Sequence, residues 1–579
     1  MQNAGLQAWV IPTNDPHQSE YVAAHWQARA YFSGFTGSAG TLVVTQNSAT
    51  LWTDGRYYLQ AAQQLPDGLI SLHKTLGNET PDPFRWLGGV LRAGDKVGID
   101  GRLLSIQQAS KAQASTAAVG LTLVTDHDLS GEAWPERPDL PPTAIFAHDV
   151  AFAGRSRAEK LADVRAKMAG LGLSRHLICT LDDIAWTLNL RGSDVRSNPT
   201  FYAYLLLEAQ SGILFIDSAK IDADLIADLS DDGIRVRPYS ALLDHLTTLQ
   251  GDLLLDPAVT SLSIQAALPA DLRVKHGDTL PIALKTIKNP VEVAHLRRTM
   301  AKDGVALFRL WRWLQGQLQH GVTEDVVAQQ LIHFRSEQAH YRDESFDAIV
   351  GYAANGAIVH YRPEPGNSAT ILPEGILLLD SGGQYLDGTT DITRCFALGD
   401  PTQTQRRNAT LVLKGHIQLA TMKFPAGTSG AQLDSFARMF LWQHGLNYGH
   451  GTGHGVGFFL NVHEGPQGIG STLGGRSAVR LEPGMLTSNE PGYYETGAYG
   501  IRLENLVLCI ALEETAYGQF LGFETMSLFP FDLDLVDRDL LTPSERDWLN
   551  SYHLRVLETL SPLLQLDEQE HLTEMCRPI

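Results

Sequence analysis

Asp380, Asp387 and Asp391 crowd the stretch LLLDSGGQYLDGTTDITRC, residues 377–395. Acids this close to an apolar run are costly to bury unless a cation offsets their charge. A hairpin centred on Tyr385–Leu386 would set Asp380 directly opposite Asp391, with Cβ atoms about 4.5–5.5 Å apart. Two such carboxylates repel, and one divalent ion or a pair would reverse that sign. Asp387 lies about 13 Å from Asp391 along an extended strand. It therefore reads as a turn residue within an Asp-Gly dipeptide. The competing reading makes Asp380 and Asp391 ordinary turn or edge residues.

Two further stretches carry matching chemistry. YGHGTGHGVGFFLNVHEGP, residues 448–466, holds His450, His454 and His463. The HxxxH spacing suggests a helical zinc site, but a glycine at every second position from 449 to 457 rules out a helix. In an extended chain His450 and His454 would stand about 13 Å apart. One would bind metal and the other substrate, with the glycines admitting a ligand close to the backbone. TSNEPGYYETGAYGIRLENLVL, residues 487–508, holds Glu490 before a Pro-Gly turn and Glu504 inside an apolar strand. A charge there needs a partner. Arg502 shares the strand face of Glu504 and offers a plain salt bridge as the alternative. Four carboxylates with one histidine suit two Mn²⁺, Co²⁺ or Zn²⁺ ions better than a structural zinc. Two metals about 3.5–4 Å apart can activate water and stabilise a tetrahedral intermediate, which is metal-assisted hydrolysis.

The elements that position these residues fall in the last of three expected segments. Residues 1–147 show strands in LQAWVIP, GTLVVT and ATLWTDGRYY, and end in the Pro-rich linker ERPDLPPTAIFA. Residues 148–285 open on the helix SRAEKLADVRAKMAGLGL and continue with strands HLICT, YAYLLL and SGILFID, a weak repeat of the first segment. Residues 286–579 begin with a helix capped by Asn289 with Pro290 in its first turn. A second helix starts at Thr323, with Glu324 and Asp325 at its positive end. Strands follow, and TPSERDWLNSYHLRVLETLSPLL forms a final helix.

Composition narrows the class. Across 579 residues, 44% hydrophobic and 19% charged residues describe a folded chain, and a net charge of −20 argues against nucleic-acid binding. Cys179, Cys395, Cys509 and Cys576 are scattered, which fits a reducing cytoplasm. The start lacks a signal-peptide pattern, and no apolar run reaches the roughly 20 residues of a membrane helix. There is no P-loop and no complete GxGxxG after a strand.

In order and local context, Asp380, Asp391, His454, Glu490 and Glu504 resemble the pita-bread metallopeptidases, the family of methionine aminopeptidase, prolidase, aminopeptidase P and creatinase. The likeness to the long, three-domain aminopeptidase P type spans nearly the whole chain. It rests on VIPTNDPHQSEYVAAHW, FSGFTGSAGT, LNLRGSDVRSNPTFYAYLLL, NGAIVHYRP, GHGTGHGVG, NVHEGP and NEPGYYETGAYGIRLEN. The resemblance implies an α/β (α+β) architecture of two creatinase-like domains and a pita-bread catalytic domain. It implies release of the N-terminal residue from peptides with proline second. Asp380, Asp391, His454, Glu490 and Glu504 would bind two metals, usually Mn²⁺, with Asp391 and Glu504 bridging and Glu490 also acting as general base. His360, His450 and His463 would be catalytic residues that contact substrate, joined by Arg502 in substrate binding. A homodimer is expected, without membrane partners. Prolidase is the nearest alternative, and a binding protein of the same fold that has lost catalysis is the remaining one.

Overall fold

The computed structural model describes residues 1–74 and 82–579. It divides into two compact units: Met1–Val150 with Arg155–Ile282, and Ala151–Gly154 with Ala283–Ile579.

The first unit holds two six-stranded sheets. Short runs rich in apolar residues, Ala8–Pro12 (β1), Thr41–Thr45 (β2), Ala49–Thr53 (β3), Ile70–Lys74 (β4), Lys96–Ile99 (β5) and Thr122–Val124 (β6), build the first, with central β1 buried along its whole length, in the order β4-β3-β2-β1-β5-β6. The second uses Arg175–Ile178 (β7), Ala203–Glu208 (β8), Gly212–Ile216 (β9), Ile234–Arg237 (β10), Asp252–Leu255 (β11) and Arg273–His276 (β12), in the order β10-β9-β8-β7-β11-β12. Strand directions match one for one: β1–β2, β2–β3 and their counterparts β7–β8, β8–β9 are antiparallel. The remaining neighbours in both sheets are parallel. The faint sequence repeat is therefore a repeat of topology. Its second copy is preceded by helix α1, Arg157–Gly170, which starts at a Ser156–Glu159 capping box.

The second unit sets long helices against several sheets. Helix α2 spans Pro290–Gln317 and starts as expected, with Asn289 accepting from the Val291 and Glu292 amides. Helix α3 spans Glu324–Ser336 from Thr323, whose side chain makes no capping bond. Instead Glu324 is buried and accepts from Tyr352 and Ala369 amides and from Tyr361. Helices α4 (Gln403–Ala420), α5 (Gly430–Trp442), α6 (Pro543–Leu560) and α7 (Leu566–Met575) complete the set. The strands are Tyr341–Glu344 (β13), Ile349–Tyr352 (β14), Ile376–Ser381 (β15), Gly383–Tyr385 (β16), Gly388–Thr389 (β17), Ile392–Ala397 (β18), Phe424–Pro425 (β19), Gly453–Gly455 (β20), Glu464–Ile469 (β21), Leu486–Asn489 (β22), Gly492–Glu495 (β23), Tyr499–Arg502 (β24), Asn505–Thr515 (β25) and Gly518–Thr525 (β26). Three sheets position the site: β14-β15-β18, β19-β26-β25-β22-β20-β21 and the pair β23-β24. A large apolar core packs against them, with Trp311 stacked on Phe396 at 4.1 Å, and a smaller cluster that includes Leu419, Phe424, Leu433 and Leu521 packs on the six-stranded sheet. Among the described residues no helix is long and apolar enough to cross a membrane, and all four cysteines are buried and free of disulfides.

Candidate active site

Asp380 lies in β15 opposite Thr393 of β18. The expected partner was Asp391, so the register differs by two positions. The rungs Gln384–Thr389 and Tyr385–Gly388 put the tip at Leu386–Asp387, one residue beyond the assumed centre. Asp391 is thus diagonal to Asp380, and the period of two still keeps it on the same face as Thr393. Gly382 allows the strands to close here, since a Cβ on it would meet the Thr390 carbonyl oxygen at 1.9 Å. Asp387, the turn residue, pairs with Lys302 at 2.7 Å.

Glu504 does not sit inside one strand as expected. The backbone breaks at 503–504, between β24 and β25, and the Glu504 amide donates to the Thr393 carbonyl at 3.1 Å. Buried Arg394 supports the break by donating to the Glu504 carbonyl at 2.6 Å and the Thr393 carbonyl at 2.9 Å. The Thr393 hydroxyl donates to Glu504 Oε2 at 2.7 Å. Arg502 is not the partner of Glu504. Its guanidinium donates to Asp380 Oδ2 at 2.5 Å, Tyr494 Oη at 2.7 Å and Thr393 Oγ1 at 3.3 Å. Only 2% of Arg502 is exposed, and these bonds anchor Asp380 and Tyr494.

His454 occupies the middle of β20. A Cβ on Gly453 would come within 2.0 Å of the Ser488 carbonyl oxygen, and one on Gly455 within 2.4 Å of the Glu464 carbonyl oxygen. These two glycines therefore serve close strand approach, where the sequence suggested room for a ligand. The chain is bent, not extended, over 449–452. His454 Nδ1 lies 3.0 Å from the Gly455 carbonyl, so Nδ1 carries the proton and donates. The Nε2 lone pair then faces Asp391 Oδ2 at 3.4 Å and Glu490 Oε1 at 3.6 Å. Glu490 follows β22, with its amide donating to the Thr452 carbonyl at 2.8 Å and Ser488 Oγ donating to its Oε1 at 3.2 Å.

Donor atoms of Asp391, His454 and Glu504 all lie within 4.8 Å of one another. Asp380 reaches the group through the Arg502–Thr393 bonds, and its Oδ1 is buried with no hydrogen-bond partner among the described residues. Burial, reinforced by Asp380 and Glu490, pushes the Asp391 carboxyl well above its ordinary range. Burial and then Asp391 do the same to Glu504, and burial raises Glu490. Burial, helped by His463, lowers His454 to about 4, so its imidazole is neutral and free to ligate. Converging buried carboxylates of this kind are stable as anions only beside a cation.

The other expected residues surround this group. His450 has Nδ1 3.9 Å from Glu490 Oε2 and Nε2 2.8 Å from Tyr494 Oη. His463 meets His454 edge-on, with ring centroids 4.3 Å apart. Half-buried His360 follows the turn Ala353–Ala357, which packs so closely on β24 that a Cβ on Gly500 would meet the Gly356 carbonyl oxygen at 1.7 Å. Tyr494, Thr393 and Ser488 escaped the sequence reading. Thr393 was visible as the residue two beyond Asp391 on the same strand face; nothing local marked Tyr494 or Ser488.

Residues 294–511, which contain every one of these side chains, match the model of metallopeptidase family M24. Residues 519–579 match the C-terminal region of peptidase M24, and 1–127 and 136–292 each match a creatinase/prolidase N-terminal domain. Aminopeptidase P2 of Arabidopsis thaliana is 42% identical over 99% of this chain and 86% of its own length. The chain belongs to the aminopeptidase P family of M24 metallopeptidases. A probable Xaa-Pro aminopeptidase P of Laccaria bicolor is 41% identical over 100% of this chain and 92% of its own. The crystal structure of an X-prolyl aminopeptidase from Caenorhabditis elegans, a cytosolic enzyme with a di-nuclear active site, superposes with a TM-score of 0.94 at 34% identity, covering 99% of this chain and 95% of that one. The M24 chain described here thus has the expected mixed α/β class, with creatinase-like sheets followed by a pita-bread unit.

Proposed function

We propose that this M24 chain is an Xaa-Pro aminopeptidase that releases the N-terminal residue from peptides with proline second, using two divalent metal ions. The observation that carries the reading is the convergence of Asp391, His454 and Glu504, with donor atoms within 4.8 Å of one another. The residues fit a metal pair on their own chemistry. The set is oxygen-rich with one imidazole, Asp380 Oδ1 is buried without a hydrogen bond among the described residues, and the His454 Nε2 lone pair points at carboxylates. Asp380, Asp391, His454, Glu490 and Glu504 would hold the ions, with Asp391 and Glu504 shared between them. Mn²⁺ is the proposed ion, with Co²⁺ and Zn²⁺ as alternatives. Bound there, the ions supply Lewis-acid polarisation of the scissile carbonyl and lower the pKa of water.

The chain's own groups do the rest. Glu490 takes the proton of the attacking water onto a carboxylate oxygen. His463, packed edge-on against His454, donates toward the oxygen on which negative charge builds, and His450 and His360 contact the substrate. Arg502 holds Asp380 and Tyr494 in place. An Xaa-Pro bond is a tertiary amide without an N–H, so attack must rely on its carbonyl, as this arrangement does. We also propose a cytoplasmic homodimer, in keeping with the cytosolic relative. The proposed domain limits are 1–147, 148–285 and 286–579, the first two each containing one of the repeated sheets.

Turnover of Arg-Pro-Pro without turnover of Gly-Pro supports this reading, and the reverse would make the chain a prolidase. Asp391→Asn should abolish turnover and reduce bound metal; unchanged turnover would sink the mechanism. Activity lost on chelation and restored by single metals, with elemental analysis of gently purified protein, identifies the ion.

A further inference from the structure

His416 of helix α4 is fully buried, and its ring bonds to Asn489, Leu503 and Asn505, not to the side chains of the five residues assigned to the metals. It touches the chain immediately beside two of them. Its Nδ1 lies 3.0 Å from the carbonyl oxygen of Asn489, the residue before Glu490, and 3.1 Å from that of Leu503, the residue before Glu504. Its Nε2 lies 3.1 Å from Nδ2 of Asn505, the residue after Glu504. Asn489 Nδ2 returns a bond to the His416 carbonyl at 2.9 Å.

The surrounding donors fix the tautomer. Asn505 Oδ1 accepts from Arg394 at 2.8 Å and from the Tyr552 hydroxyl at 3.2 Å, so the amide nitrogen must face His416. Nε2 therefore accepts, and Nδ1 bears the proton that both carbonyls share. The location explains the need. Asn489 and Asn505 form the last pair of the β22–β25 ladder, and beyond it the two backbones part toward Glu490 and Glu504. One imidazole N–H pins both backbones where strand pairing stops.

We propose that His416 is a positioning residue that sets the separation of Glu490 and Glu504, and thereby the affinity of the site for its metal ions. The proposal rests on the ligand assignment above. Loss of a group that orients ligands costs about 10–100-fold in metal affinity. Simple core filling by His416 would cost stability and leave the affinity alone.

Two substitutions separate these roles. In His416→Asn the amide nitrogen can stand near the Nδ1 position and still donate to the carbonyls. In His416→Gln the amide reaches the Nε2 position and leaves them without a donor. Apoprotein of the full chain is titrated with Mn²⁺ by calorimetry, and its thermal unfolding is recorded beside kcat and KM. H416N is expected to bind Mn²⁺ within about threefold of the parent, and H416Q about tenfold or more weaker, with the loss of turnover in kcat rather than KM. Unchanged Mn²⁺ affinity in H416Q, or equal weakening in both variants, would overturn the proposal. If H416Q does not fold, His416→Leu, which fills the space without any donor to the two carbonyls, takes its place: Mn²⁺ affinity about tenfold or more weaker supports the role, and parent-like affinity ends it. A parent protein that binds no Mn²⁺ would instead overturn the ligand assignment, and this inference with it.

Discussion

Three aspartates stand within twelve residues at the site, and the structure separates them by what each side chain meets. Asp380 meets Arg502, Asp391 faces His454, and Asp387 is paired with Lys302 at the hairpin tip. Asp387→Asn should leave metal content and turnover at parent levels, because both of its carboxylate oxygens are held by Lys302 at the hairpin tip. It should cost about 2 kcal/mol in stability, since Lys302 then loses its charge-assisted hydrogen bonds to the Asp387 carboxylate. Metal analysis and denaturant unfolding of this variant test both halves, and a drop in bound metal would contradict the assignment. The acids were legible in sequence because carboxylates beside apolar runs demand a counter-charge. The partners were less so. Asp380 and Arg502 are joined across 122 residues, and nothing near either one names the other. The sequence therefore offered Arg502 to its neighbour Glu504, and the fold gave it to Asp380.

At the level of elements, local signals located helix starts well. Asn289 with Glu292, Ser156 with Glu159 and Thr542 with Glu545 all form capping boxes. Register and strand breaks were harder, because they depend on the neighbouring strand. Asp380 found Thr393 because Gly382 admits the Thr390 carbonyl, a contact between strands that spacing alone does not specify. Alternate glycines from 449 to 457 excluded a helix but hid their individual tasks. Gly453 has no room for a methyl group beside Ser488, whereas Gly449 is exposed with nothing within 4 Å of a Cβ. Gly453→Ala must push β20 from β22 and carry His454 with it. We expect bound metal to fall at least about tenfold and turnover at least about 100-fold, since ligand placement is tight. Gly449→Ala should keep both within about twofold, as surface substitutions away from such contacts do. Metal content and kcat measured on the two variants side by side check the contrast, and equal behaviour would mean that strand approach at Gly453 does not govern His454.

Over the whole molecule, the repeated sheet order of the first unit was only faintly legible, because topology is kept by strand direction and not by matching side chains. The same scale sets the acid response, since each unit buries a neutral histidine away from the proposed metal ligands. In the first unit, His176 Nε2 accepts from the Leu280 amide at 3.2 Å, and burial lowers its pKa to about 4. In the second, His553 Nε2 accepts from the Phe531 amide at 3.0 Å, and burial with help from Arg394 lowers its pKa to about 3. Protonation at Nε2 would abolish either bond. Both folded pKa values lie below the ordinary 6.5, so the unfolded chain binds the proton first. The stability each histidine confers is complete above pH 6.5, declines as pH falls below it, and is exhausted near pH 4 for His176 and near pH 3 for His553. The slope is about 1.4 kcal/mol per pH unit for each, or about 2 kcal/mol by pH 5. Glutamine can accept the same amide bond without titrating. His176→Gln should therefore flatten the loss of thermal stability between pH 6.5 and pH 5 for the first unit, and His553→Gln for the second. Metal-free protein is the material to use, so that metal release does not mimic the effect. An acid limb equally steep in the double variant H176Q/H553Q would show that these two histidines do not set the pH response.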